Sequence, residues 1–396
     1  MNVLFICGGD HKYGSPKSAI NLIETISKSN SDIRFVVLTQ NCGKINEFCN
    51  MQGIPNYVTG HRYAVYKKEA NRTKDIFKHS IRSLQFYLRL AAALSRIKRW
   101  VDLNEIDLIH TNIDRDVLGL YLAHKYSIPH VVHLRELIKS HYGLEFLLPN
   151  QIEFMNRFTN HFVAISNSVA CEWESLGLSK EKVSIVYNGI IAENYEYSDR
   201  KDCSDDFLNI VMVGGLFPEK GQLELIQALS LIDSQDRKGL KVDFYGDGRP
   251  EYEQLLKKYS ELYNLKHVVS FKGYRTNVAQ ILSKYDVGVL CSKAEGFGLT
   301  TVEYMYAGLC PLVADTGASP EIVIDGECGL LYSYGSPDDL AKKIIFLKNN
   351  RILLGNLAKN AQERADKLFS MDRCGQNIIS LYEKVLCEQG KRIRYE

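Results

Sequence analysis

The segment 295–303, EGFGLTTVE, sets two carboxylates, Glu295 and Glu303, either side of seven residues that include Gly296 and Gly298. It follows the apolar run Val287 to Leu290, which reads as a strand ending before Cys291 and Ser292. A strand, a glycine turn and a helix start make an anion site, because free N–H groups and the positive helix end point into one space. Carboxylates beside such a site would repel phosphate, but they suit hydroxyls, which donate to ionised Asp or Glu. A ligand carrying both phosphates and hydroxyls is called for, and a nucleotide-sugar has both. Glu295 would meet hydroxyls of a sugar, and Glu303 would hold those of a ribose, as acidic residues do in dinucleotide folds. The backbone N–H groups of Phe297, Gly298 and Leu299, with Thr300 beside them, would cradle phosphate or sugar oxygens. A plain dipole role explains Glu303 poorly, since it stands well inside the helix.

Lys220, in VGGLFPEKGQLELIQAL, sits in a loop between a strand and an amphipathic helix. An ammonium there would neutralise a diphosphate leaving group; the plain alternative is a solvated surface lysine. Gly8-Gly9-Asp10-His11-Lys12-Tyr13-Gly14-Ser15 follows the first strand, but its spacing departs from the G-x-G-x-x-G of dinucleotide sites. A simple strand-to-helix connection explains it equally well. In IPHVVHLRE a histidine closes a strand, and His110, His130 and His133 cannot be ranked by spacing. Between Gly60 and Trp100 eleven Lys/Arg residues face only Glu69 and Asp75, with aromatic residues interleaved. That mixture suits an anionic membrane surface or an anionic acceptor. A solvated helix whose apolar side packs on the domain is the slightly favoured reading. RNA is a third option without a supporting motif.

These residues need elements to position them. Apolar runs Val3–Cys7, Phe35–Thr39, Leu108–His110, His130–His133 and His161–Ile165 alternate with helical patterns at Ser18–Lys28 and Val117–Tyr126. After the polar segment DRKDCSDD a fresh series begins: Ile210–Gly214, Val242–Gly246, Val268–Phe271, Val287–Leu290 and Cys310–Ala314. Strands alternating with helices predict parallel sheets covered on both faces. Two such series predict two doubly wound α/β domains, 1–198 and 206–370, facing a central cleft, with a closing helix near 376–396 that returns to the first. A chain of 396 residues has room for both. The net charge of +2 gives no global pull toward nucleic acid, and ten scattered cysteines without a C-x-x-C pair argue against zinc and against disulfides. Neither a signal peptide nor an apolar run of about 18 residues is read, so a cytoplasmic protein is expected, at most at the inner face of the membrane.

With those motifs in hand, the chain resembles the retaining glycosyltransferases of family 4, which have the GT-B fold. The second half carries most of the likeness: VGGLFPEKG, FYGDG, FKGY, VLCSKAEGFGLTTVEYMYAGLCPLVAD, SPEIV and GECGLLY. The resemblance implies that Lys220 contacts the donor diphosphate, Glu295 the donor sugar and Glu303 the ribose. It places Gly273 and Tyr274 beside the nucleobase, singles out His133 near the transferred sugar, and gives Gly9, Gly14 and Ser15 a role near acceptor and phosphates. Two departures stand out. Gly215 occupies a position where many members have arginine, so Lys220 and helix dipoles would suffice or Arg135 or Arg275 would supply a second cation. Gly14-Ser15 replaces a common glycine pair.

The implied activity moves a sugar from a nucleotide diphosphate, by default UDP, to a hydroxyl of a glycan or lipid-linked acceptor, as in surface polysaccharide synthesis. No cofactor and no metal are expected, since no Asp-x-Asp pair is apparent. Two alternatives stay open: a sugar-nucleotide epimerase of the same architecture, and a non-catalytic partner subunit that binds a sugar nucleotide.

Overall fold

The computed structural model describes residues 1–8, 15–195 and 207–390. It divides into two compact units, Met1–Gly189 with Met371 onward, and Ile190–Ser370. The division falls at Gly189/Ile190, earlier than the expected 198, because Ile190 pairs with Ser370 and its N–H bonds Phe369 O at 2.9 Å. The linker segment 199–206 lies outside the described residues.

The first unit is built on seven parallel strands: β1 (Asn2–Cys7), β2 (Arg34–Thr39), β3 (Asn56–Val58), β5 (Leu108–Thr111), β6 (His130–Leu134), β8 (His161–Ala164) and β9 (Val183–Ile185). Two further short strands, β4 (Val65–Lys67) and β7 (Leu144–Phe146), pair antiparallel apart from the main sheet. The main order is β3-β2-β1-β5-β6-β8-β9. Val3, Leu4, Phe5 and Ile6 are wholly buried, so both faces of β1 are covered. That is why the run reads as continuously apolar rather than alternating. The closing helix, Met371–Glu388, starts five residues before the expected Gln376 and packs on the Ser15–Ser29 helix of this same unit. Ile378, Leu381, Tyr382, Val385 and Leu386 form its buried row.

The second unit has six parallel strands: β10 (Leu208–Val213), β11 (Leu240–Tyr245), β12 (Val269–Gly273), β13 (Val287–Leu290), β14 (Cys310–Ala314) and β15 (Leu330–Tyr332). Their order is β12-β11-β10-β13-β14-β15. The order therefore reverses between β10 and β13, just as it reverses between β1 and β5 in the first unit. In open parallel sheets ligands bind beyond the carboxyl ends of the strands at that reversal. Both reversals lie where the sequence puts its polar residues.

One contact fixes the helix that follows β13. Gly288 of β13 leaves room for the Tyr304 ring, which a Cβ there would approach to 2.2 Å. Tyr304, wholly buried on the Leu299–Tyr306 helix, accepts a hydrogen bond from the Val213 N–H at 2.8 Å and donates to Val289 O at 3.3 Å. One side chain thus ties β10 and β13 to the helix that follows β13.

Candidate functional site

In the second unit the loops after β10 and β13 meet at the reversal. Lys220 Nζ donates to Glu295 Oε1 at 2.5 Å, with both side chains largely covered. The meeting has a backbone cause. Gly221, at φ 75°, lies so close to Cys291 that a Cβ would come within 2.1 Å of its carbonyl oxygen. The Lys293 N–H bonds Glu219 O at 2.9 Å. From the other side Gly317, at φ 54°, would place a Cβ 2.4 Å from Glu295 O, and the Ala318 N–H donates to that oxygen at 2.9 Å. Only glycine fits at either point, since both combine a left-handed backbone with direct backbone contact. The loops from β10, β13 and β14 are locked together, and the ion pair rides on them.

Beyond Glu295 the chain turns at Gly298, whose φ of 88° makes it the cap of the Leu299–Tyr306 helix. Phe297 is buried with its ring against Phe369, 5.7 Å between centroids. Its side chain is an anchor, so any ligand contact it makes is through the backbone. Leu299 and Thr300 open the helix half-buried, and the buried hydroxyl of Thr301 has no protein partner. Glu303 is half-buried and is hydrogen-bonded by the Tyr195 phenol. Tyr195 stacks on Tyr306, 6.1 Å between ring centroids. Tyr195 carried no motif signal in the sequence.

At the position of the missing arginine, the ring of Phe217 fills the space a Cβ on Gly215 would need, 2.6 Å away. The guanidinium of Arg249 lies over that ring at 5.7 Å. Backbone pairing brings it there: Leu216 bridges Gly248, the Leu216 N–H bonds Asp247 O at 2.9 Å, and the Arg249 N–H bonds Leu216 O at 3.2 Å. Arg249 went unnoticed because it lies 34 positions from Gly215. Arg275, one of the two expected extra cations, is exposed and bonds the carbonyl of its neighbour Tyr274. Gly273 ends the edge strand β12, and Tyr274 is exposed after it.

In the first unit, β6 delivers His133 and the residues behind it. Arg135, the other expected cation, is half-buried and spends its donors inside this unit. Asn112 Oδ1 takes two of its bonds (3.0 and 2.8 Å), Ser18 Oγ one at 3.1 Å, Asn188 Oδ1 one at 2.8 Å, and His133 Nδ1 one at 3.3 Å. Five N–H groups are all a guanidinium has. Arg135, expected as a possible extra cation, thus links the ends of its neighbouring elements and holds the His133 ring.

The three histidines differ in their partners. His130 sits between Thr111 and Thr159 hydroxyls, and His110 bonds the Tyr382 hydroxyl of the closing helix through Nδ1. His133 and His110 each have Nε2 buried without a protein partner, and only His133 is bonded by Arg135. Burial, then the charge on Arg135, holds its pKa well below the ordinary value, so it is a neutral imidazole.

Asp114 and Glu136 were not foreseen. Asp114 Oδ2 accepts the N–H groups of Arg135 and Glu136, both at 2.9 Å, and Glu136 Oε1 accepts from Arg115 at 2.6 Å. Each carboxylate has a second oxygen buried without a protein partner. Burial raises both pKa values, and for Glu136 the nearby Asp114 adds to the rise. Gly9 and Gly14 lie outside the described residues; Ser15 begins the first helix.

Two family models match, and between them they take in most of the chain: "Glycosyltransferase Family 4" over residues 53–194 and "Glycosyl transferases group 1" over 196–364. The chain belongs to glycosyltransferase family 4. This glycosyltransferase is 28% identical over 336 residues to an uncharacterized glycosyltransferase of Methanocaldococcus jannaschii, covering 80% of this chain and 87% of that one. It is 24% identical to N,N'-diacetylbacillosaminyl-diphospho-undecaprenol alpha-1,3-N-acetylgalactosaminyltransferase of Campylobacter jejuni, over 68% of this chain and 75% of that one. Among solved structures, Anabaena HepE in complex with UDP superimposes with a TM-score of 0.75 at 22% identity, covering 97% of this glycosyltransferase and 100% of HepE. At that identity the likeness establishes the GT-B fold alone.

Proposed function

We propose that this glycosyltransferase holds a nucleotide diphosphate-sugar on its second unit and transfers the sugar, with retention, to a hydroxyl of an acceptor held by the first. The observation that carries the proposal is the Lys220–Glu295 pair at the β10/β13 reversal, next to the glycine-capped helix start. Lys220 faces the departing diphosphate, whose growing negative charge it and the backbone N–H groups at Gly298 and Leu299 offset. Glu295 holds the ammonium ready in the absence of donor and keeps acceptor capacity for sugar hydroxyls. Glu303 takes the ribose hydroxyls, exchanging its bond from Tyr195 for them. Arg249, stacked over Phe217 beside Gly215, supplies the second cation. No divalent ion is needed.

In the transfer step the acceptor oxygen bonds the anomeric carbon on the face from which the sugar–phosphate bond breaks. The acceptor proton passes to the leaving phosphate oxygen, and configuration is kept. His133, neutral and with Nε2 unpartnered, would serve as an acceptor or donor for a sugar hydroxyl. UDP is the favoured nucleotide, in line with the UDP bound in HepE. The Campylobacter relative is named for a diphospho-undecaprenol substrate, which supports a glycan or lipid-linked acceptor in polysaccharide or glycoconjugate synthesis, reached from the cytoplasmic side.

The test is transfer from a panel of UDP-, GDP- and ADP-sugars, in the presence and absence of EDTA, by wild type and by the Glu295→Ala and Lys220→Ala variants. Wild type should turn over one donor class with EDTA present. Lys220→Ala should lose about 10²–10³-fold in kcat, the scale of one oxyanion donor. Normal turnover of both variants at saturating donor rejects the assigned roles.

A further inference from the structure

The Arg72–Trp100 helix of the first unit has two apolar faces. Phe86, Leu90, Ala93 and Ile97 recur at helical spacing and are buried against the unit. Around the other side Ile76, Phe77, Ile81, Leu84, Tyr87 and Leu88 are exposed, each by between 41% and 68%. With about 3.6 residues per turn, these six fall in one arc outside the buried row, with Ile76 and Tyr87 next to it and the other four on the far side. A surface helix needs one apolar stripe, and single exposed apolar residues are ordinary, but six in four turns form a continuous patch. The buried row packs on the unit, as the slightly favoured expectation has it, and a second apolar face is left outside.

Charge follows the patch. Lys74, Lys78, Arg89 and Arg96 run along one edge between the two faces, with Lys78 steadied by Glu69 at 2.7 Å. The helix holds eight Lys/Arg residues and a single acid, Asp75, which is buried. No helix among the described residues is long and apolar enough to cross a membrane. An apolar ridge with a basic edge, on a helix that does not span, fits a surface where negative headgroups overlie hydrocarbon.

We propose that this helix seats the protein on an anionic bilayer, its ridge in the boundary between headgroups and acyl chains and its basic edge among lipid phosphates. A second copy of the chain fits less well, because two helices of high positive charge would meet face to face. The proposal is independent of the transfer reading, since it concerns only where the first unit binds.

The experiment is flotation of the full chain with extruded vesicles of phosphatidylcholine alone or mixed with phosphatidylglycerol, without donor or acceptor. Wild type should float with the anionic vesicles and much less with the neutral ones. A Phe77→Asn/Leu84→Asn/Leu88→Asn variant should lose about tenfold or more in partitioning at low and high salt, because the buried apolar area is removed. A Lys74→Gln/Arg89→Gln variant should keep weak binding but lose its preference for anionic lipid. The substituted side chains are exposed, so melting curves should match wild type. Absence of wild-type binding to anionic vesicles, or wild-type binding by the triple variant, overturns the proposal. So does a vesicle-free dimer that the triple variant converts to monomer.

Discussion

Lys220 and Glu295 are already paired with each other, so in the proposed reading a diphosphate would gain from a cation beyond that pair. Arg249 is the residue whose geometry answers this, its guanidinium over the Phe217 ring that fills the space beside Gly215. Arg249→Ala should weaken binding of the nucleoside diphosphate by about tenfold, the scale of one charged hydrogen bond, and leave melting of the donor-free protein unchanged. Equal affinity of the variant and wild type by calorimetric titration would remove Arg249 from the site. Glu136 makes a different kind of prediction. Burial beside Asp114 raises its pKa above that of the unfolded chain. The folded state therefore favours the protonated acid, and that contribution is present below the ordinary carboxylate range and lost as pH rises through the raised value. Glu136→Gln, which stays neutral, should narrow the gap in melting temperature between pH 5 and pH 8. An unchanged gap in the variant would show that Glu136 is not responsible.

At the scale of elements, the proposed donor site is three loops clamped at backbone level, and Gly288 sets how near the helix approaches them. Gly288→Ala would drive a methyl into the Tyr304 ring, disturbing both bonds that Tyr304 makes to β10 and β13. An overpacked core position costs about 1–3 kcal/mol, so thermal melting should fall by several degrees, with donor affinity falling too. A variant that melts like wild type would show that the helix can shift freely. Most of this framework was legible in the sequence, because strands buried on both faces leave continuous apolar runs and the carboxylate pair has a glycine turn between its members. The short edge strands β3, β9 and β15 were not, having only three residues each. Arg249, Tyr195, Asp114 and Glu136 escaped because their partners are brought close by sheet order, not by spacing along the chain. The exposed face of the Arg72–Trp100 helix was half-visible: its charge could be counted, but only packing shows which apolar residues are left outside.

For the whole molecule, two parallel sheets reverse their strand order, and each reversal gathers polar residues with a different character. The first unit offers a neutral histidine and two raised carboxyls; the second offers an ion pair, a second cation and a helix start. That contrast supports a division of labour in which the phosphates belong to the second unit. The most direct measurement is isothermal titration of wild type and Lys220→Ala with UDP and with UMP, repeated with the guanosine and adenosine pairs if UDP does not bind. The account predicts that the variant loses about tenfold or more in affinity for the diphosphate and little for the monophosphate, because the ammonium serves the phosphate next to the sugar. Equal diphosphate affinity in the two proteins, or an equal loss for both nucleotides, would contradict it.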